Sequence, residues 1–177
     1  NAKEIMGDVE KNISKINQYN FEGGVLGLTR MATQASLLRF DMNETFKLAD
    51  KVMKPEGAIE MAAAFQRLGV AAGDLTDPFA LMNKSINDPE GLQKSVINVA
   101  KQFSYFDEET KTFKINPQGI LTLKEIEEQT GLSAAELRKT ALAAAELDKR
   151  LGDISPNIEF KSEEDKQYLM NIAKMGE

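Results

Sequence analysis

One helix-start code, written twice with starts eleven residues apart, constrains this chain more than any other feature. In Leu121-Thr122-Leu123-Lys124-Glu125-Ile126 and again in Leu132-Ser133-Ala134-Ala135-Glu136-Leu137, a hydroxyl residue stands where it accepts the backbone N–H three residues on. The glutamate at that third position, Glu125 or Glu136, reaches back to cap the hydroxyl residue's own N–H. Leu121 with Ile126, and Leu132 with Leu137, sit as apolar staples across the two caps. With Gln129-Thr130-Gly131 between them, the two copies predict a helix pair over 120–151 joined by a tight turn.

Such a pair raises the question of DNA binding, because Leu123 to Thr140 runs helix, glycine turn, second helix. The details argue against it. With Gly131 as the turn glycine, Glu127 falls at the first-helix position that is usually small, and Thr140 falls at a late core position of the second helix. From Pro117 to Leu151 there are five basic and six acidic residues, with Glu125, Glu127 and Glu128 clustered where the first helix would cross phosphates. Carboxylates there repel the backbone that supplies most non-specific affinity. A DNA-binding regulator using residues 121–141 is carried as the alternative, with Arg138 and Lys139 as its cations, and nucleic acid is disfavoured as a partner.

Composition narrows the chemistry. In 177 residues, 42% are hydrophobic, which suffices for a core. There is no cysteine and no histidine, so thiolate nucleophiles, disulfides and the commonest proton shuttle and transition-metal ligand are all missing. The net charge of −6 is spread along the chain, with ten basic and twelve acidic residues up to Asp88 and twelve and sixteen after it. Neither half attracts polyphosphate by charge alone. No phosphate-binding glycine loop, nucleophile elbow or zinc-protease motif occurs, and neither cofactor nor metal is implied. A glutamate pair cleaving sugars needs only carboxylates, so a peptidoglycan-cleaving domain is the third functional class. Nothing in the spacing picks out a pair, and an enzyme is not expected.

Residues 2–20 read as a helix in which Met6, Val9, Ile13 and Ile16 recur at spacings of three, four and three, the seam of a short coiled coil. These four are the candidate oligomer-interface residues of an N-terminal arm, 1–22. Two heptads also suit a plain amphipathic helix. If the seam pairs, isoleucine at both core positions favours three or four strands over two, a trimer being the simplest. Phe21 to Leu28 is apolar but glycine-broken and reads as a buried or hinge segment, far short of the roughly 18 residues a membrane span requires. Asn1 in place of an initiator methionine is expected of a piece of a longer chain.

The remainder, 25–177, reads as one helical domain. Val25, Leu28, Met31, Ala32, Ala35 and Leu38 share a face of a helix ending near Arg39, and Asp41 or Asn43 caps the next, through Phe46, Leu48 and Val52. Pro55 opens an alanine-rich helix that Gly69 or Gly73 ends. Asp77-Pro78 and Asp88-Pro89 each set a capping carboxylate before a first-turn proline. Aromatic and β-branched residues around Asp107-Glu108-Glu109 predict a small β-hairpin over 103–115 with a solvated acidic turn, because the ligand alternation and glycine of a calcium loop are missing. A last helix over 162–175 starts at Ser162-Glu163-Glu164-Asp165 and carries Tyr168, Leu169, Ile172 and Met175. The fold class is all-α: a compact multi-helix domain, an amphipathic or coiled-coil arm and one hairpin.

Three segments carry a resemblance: Met42-Asn43-Glu44-Thr45-Phe46-Lys47-Leu48-Ala49-Asp50-Lys51-Val52, Asp77-Pro78-Phe79-Ala80-Leu81-Met82, and Phe113-Lys114-Ile115-Asn116-Pro117 through Glu125-Ile126-Glu127-Glu128-Gln129-Thr130-Gly131-Leu132-Ser133. Over about residues 41–175 the chain resembles phage tail tape measure and related internal virion proteins. The resemblance implies a long, mostly helical, oligomeric parent in the tail lumen that sets tail length during assembly and meets other tail proteins. It carries over no catalytic residue. Long uninterrupted coiled coil, usual in such proteins, is replaced here by a more compact pattern, so the chain corresponds to a globular segment.

Overall fold

Side chains that accept backbone N–H groups, and prolines that need no N–H partner, decide where most of the described helices begin. A computed structural model describes residues 1–154. In chain order these form α1 (Ala2–Asn12), α2 (Val25–Leu37), α3 (Met42–Val52), α4 (Pro55–Leu68), α5 (Pro78–Asn87), α6 (Pro89–Lys101), β1 (Ser104–Asp107), β2 (Thr112–Ile115), α7 (Pro117–Thr130) and α8 (Ala134–Ile154). Short 3-10 turns lie at Ile13–Asn17 and Gly73–Thr76. The fold is all-α with one small hairpin, as the sequence pattern leads one to expect. The expected helix over 162–175 lies outside the described residues.

Asp41, Asp77 and Asp88 cap α3, α5 and α6, accepting the N–H groups of Asn43 (2.9 Å), Phe79 (3.0 Å) and Gly91 (2.9 Å). Gly69 ends α4 in the left-handed conformation at φ 66°. The first copy of the twin code, however, does not start a helix. Asn116 caps α7 by accepting the Gly119 N–H at 2.5 Å, and Pro117 occupies the first turn. Thr122 therefore lies one turn inside, its hydroxyl donating to the Gln118 carbonyl at 3.0 Å, and Leu121 is exposed. The second copy does start α8: Ser133 Oγ accepts the Glu136 N–H at 3.2 Å, and Leu132 and Leu137 are both buried.

One continuous core runs through the helical body, with α3 at its centre against α4, α5 and α6. From α2 it takes Leu28, Met31, Ala32 and Ala35, and from α8 Leu137, Ala141 and Ala144. Val25, expected on the same face of α2, is exposed. Polar groups in the core are partnered: Gln93 donates to the Met31 carbonyl (3.0 Å) and to Gln34 (2.9 Å) and accepts from Thr45 (3.4 Å). Among the described residues Thr140 is the exception, its hydroxyl fully buried with no partner there.

The hairpin pairs Phe106 with Phe113, whose rings meet edge to face at 5.1 Å, and buries Phe103 and Ile115 against the helices. The hairpin's Phe and Ile faces thus rest on the body, where a lone hairpin would be marginal. Lys149 of α8 lies over the Phe106 ring at 4.0 Å. Asp107 accepts the Glu109 N–H at 3.0 Å and pairs with Lys114 at 2.7 Å, bonds that hold its carboxyl down at about 2. The acidic turn is an exposed, locally bonded one, and no group of three potential metal ligands occurs among the described residues.

The helix expected over 2–20 stops at Asn12 and tightens into the 3-10 turn. The arm folds back onto α2 with Ile5, Val9 and Ile16 half-buried against the core. Immediately afterwards the chain is anchored: Tyr19 stacks on Phe46 at 5.8 Å and donates its hydroxyl to Asp50, and Phe21 meets the same ring edge-on at 6.4 Å. The Asn20 N–H adds a bond to the Ile86 carbonyl at 2.7 Å.

Candidate interaction surface

The four seam residues part company in the docked arm. Val9 and Ile16 face the body, whereas Met6 and Ile13 point outward with exposures of 62% and 42%. Within α1 the docked face is that of Ile5 and Val9, which leaves Met6 on the outer flank, and the tighter 3-10 winding after Asn12 interrupts the helical stripe between Val9 and Ile13. Part-burial of three aliphatic side chains against α2 contributes roughly 1 kcal/mol apiece, about half of what full burial gives. No residue of α1 or of the 3-10 turn is fully buried.

Beside the arm runs a groove of about 780 Å³ where Asp8 meets Arg39, Asp41 and Glu136. Burial raises the Asp8 carboxyl above its ordinary value, with the charges of Glu4 and Asp41 adding and Lys11 opposing. A carboxylate shifted upward is better tolerated neutral than charged, so the arm docks against an electrostatic cost at neutral pH.

The α7–α8 turn presents a contrasting geometry. Gly131 takes φ 81°, the left-handed conformation that ends α7, and two lysines of α3 donate to the carbonyls left over there: Lys51 to Thr130 at 3.0 Å and Lys47 to Gly131 at 3.5 Å. One turn earlier on α3, the buried Glu44 accepts the Ser133 N–H at 2.8 Å and pairs with Lys47 at 2.9 Å. Glu127 takes the Ala134 N–H at 2.6 Å. Glu136 caps α3's approach instead of its own helix, accepting the Asp41 N–H at 3.2 Å. So α3 offers bases to the negative end of α7 and an acid to the positive end of α8.

This arrangement bears on the DNA alternative. The N-terminal amides of α8 that would face a phosphate are taken by Glu44, Glu127 and Ser133, and Lys139 is paired with Glu136 at 2.8 Å. Arg138 is exposed, while Glu125, Glu127 and Glu128 are exposed on α7. For sugar cleavage, a groove of about 980 Å³ between α2 and α6 is lined by Glu22, Asp74, Asp88 and Glu90, of which Glu90 pairs with Arg30 at 3.2 Å, Asp74 pairs with Lys84 at 3.3 Å and Asp88 caps α6. No helix among the described residues is long and apolar enough to cross a membrane.

Two functional side chains escaped the reading of the sequence. Asn116-Pro117 carries the same start signal as Asp77-Pro78 and was available to find the α7 cap. Glu44 had no local signal, because its partner lies 89 residues away. No protein-family model matches the chain, and no curated protein and no solved structure matches it either.

Proposed function

We propose that this chain is a non-enzymatic structural segment of a phage virion-internal protein of the tail tape measure type, acting in tail assembly by self-association and by contact with other tail proteins. The virion tail interior is its place, and the host cytoplasm its place during assembly. The observation that carries this reading is the arm: Met6 and Ile13, one heptad apart, face outward on a chain in which Asp41, Asp88 and Glu44 hold helix-start amides and Glu90 holds an ion pair. Apolar surface is then what the molecule has to offer a partner. The motif resemblance over residues 41–175 supplies the kind of assembly.

Sedimentation velocity over a range of concentrations tests it. The wild-type chain associates, and Ile13→Asp, which sets a charge on the outward face, is monomeric. A wild-type chain that stays monomeric at every concentration contradicts the proposal. Salt-sensitive duplex binding at low ionic strength, lost on Arg138→Glu and Lys139→Glu, would put the DNA-binding regulator in its place.

A further inference from the structure

Docking on α2 and presenting the whole seam to a second copy are incompatible uses of the arm. Val9 and Ile16 are half-buried on the body while Met6 and Ile13 look away from it, and α1 ends at Asn12, after Met6 and Val9 and before Ile13 and Ile16. A seam that uses all four requires a continuous helix through residue 16 and four side chains on one face. We infer that residues 1–17 are a releasable strap: α2 holds the arm in the monomer, and the arm leaves α2 to pair with the arm of a second copy. This rests on the self-association reading above.

Three features of the molecule fit a strap pivoting at Gln18. Residues 2–17 contain no fully buried side chain, whereas just beyond them Tyr19 and Phe21 are buried against Phe46 of α3, the Tyr19 hydroxyl is bonded to Asp50 of α3 and the Asn20 N–H to Ile86 of α5, so release of the arm does not unseat the core. The ties to be broken are slight: a 3.4 Å hydrogen bond from Ser36 to Glu4, the Lys15 ammonium 5.1 Å from the Phe46 ring, and the half-buried Ile5, Val9 and Ile16. Docking also buries Asp8 and sets it near Asp41, with Glu4 and Lys11 beside it on its own helix, Arg39, Lys139 and the Asn1 amino group as cations and Glu136 as a further acid around the same groove. The burial and the Asp41 charge are relieved on release, and protonation removes their cost on acidification, so neutral pH favours the released arm relative to acid.

Ile5 separates the two states, because it helps hold the arm on α2 and is not one of the four seam residues. Ile5→Ser weakens docking and leaves the seam intact, so the midpoint of association in sedimentation falls roughly threefold to tenfold, as the undocked fraction rises. A chain without cysteine also permits a lock: Glu4→Cys with Ser36→Cys, bridged by a short bis-maleimide, stays monomeric, while the unbridged double variant, which lacks the Ser36–Glu4 tie, associates at least as well as wild type. If Ile5→Ser weakens association, or the bridged protein associates as well as the unbridged one, the strap is wrong and self-association stands. If the wild-type and unbridged proteins never associate, both readings fall together.

Discussion

The α7–α8 turn ends one helix and starts the next against side chains of α3, whereas the arm lies on α2 through half-buried aliphatics and places nothing in the core. Both regions carry a strong local pattern. At the turn the pattern is met twice over, by Ser133 within α8 and by Glu44, Lys47 and Lys51 from α3, so local and tertiary preferences agree. Along the arm they diverge: the spacing asks for one stripe, and the docked structure divides it. The lesson is that a pattern satisfied inside the chain marks scaffold, and one left partly unsatisfied marks surface with work to do.

Four substitutions and a pH series sharpen or break that comparison. Leu132→Ala, at a buried staple of the turn, is expected to cost about 3 kcal/mol in urea unfolding, near the middle of the range for buried leucine truncation. Glu44→Gln weakens the charge-assisted cap on Ser133 and the ion pair with Lys47, and is expected to cost about 2 kcal/mol. A loss under half that size would mean that the α3 side chains decorate the turn without holding it. Thr140→Val removes the unpartnered buried hydroxyl at nearly constant volume, so thermal unfolding should shift upward, by about 1 kcal/mol in stability. Val9→Ala in the arm is expected to cost less than about 1 kcal/mol, since the side chain is only half-buried. An arm truncation as costly as Leu132→Ala would erase the distinction between the regions.

The smallest effect at neutral pH is visible only in alkali. Burial, then the bond to Asp50 and the charge of Asp50, push the Tyr19 hydroxyl above its ordinary 10.0. A proton is thus held more tightly in the folded chain than in the unfolded one. The contribution is complete below pH 10 and declines as the pH rises above it, when the unfolded tyrosine ionises first. Stability should therefore fall more steeply above pH 10 in the wild-type chain than in Tyr19→Phe; parallel curves would mean that the anchor beyond the arm lacks this bond.

Much of the scaffold is readable because its signals are local. Asp41, Asp77 and Asp88 sit next to the amides they cap, Gly69 ends its own helix, and the hairpin pairs residues a few positions apart. Local reasoning misplaced the α7 start for the same cause: Thr122 to Glu125 satisfies the start code, but those amides are already inside a helix begun at Pro117. What the sequence hid depends on distant partners. Glu44 and Ser133, or Tyr19 and Asp50, 31 positions apart, meet only after the helices pack. The arm is intermediate, since its spacing shows which residues are apolar but not which neighbour covers them.

Native-state hydrogen exchange measures the central contrast directly, residue by residue. The account predicts that amides of α1 exchange through a local opening well below the free energy of global unfolding, while the buried stretch of α8 around Leu137 and Ala141 exchanges only with global unfolding. Equal protection in the two, falling together with added denaturant, would make the arm part of the scaffold and contradict the account.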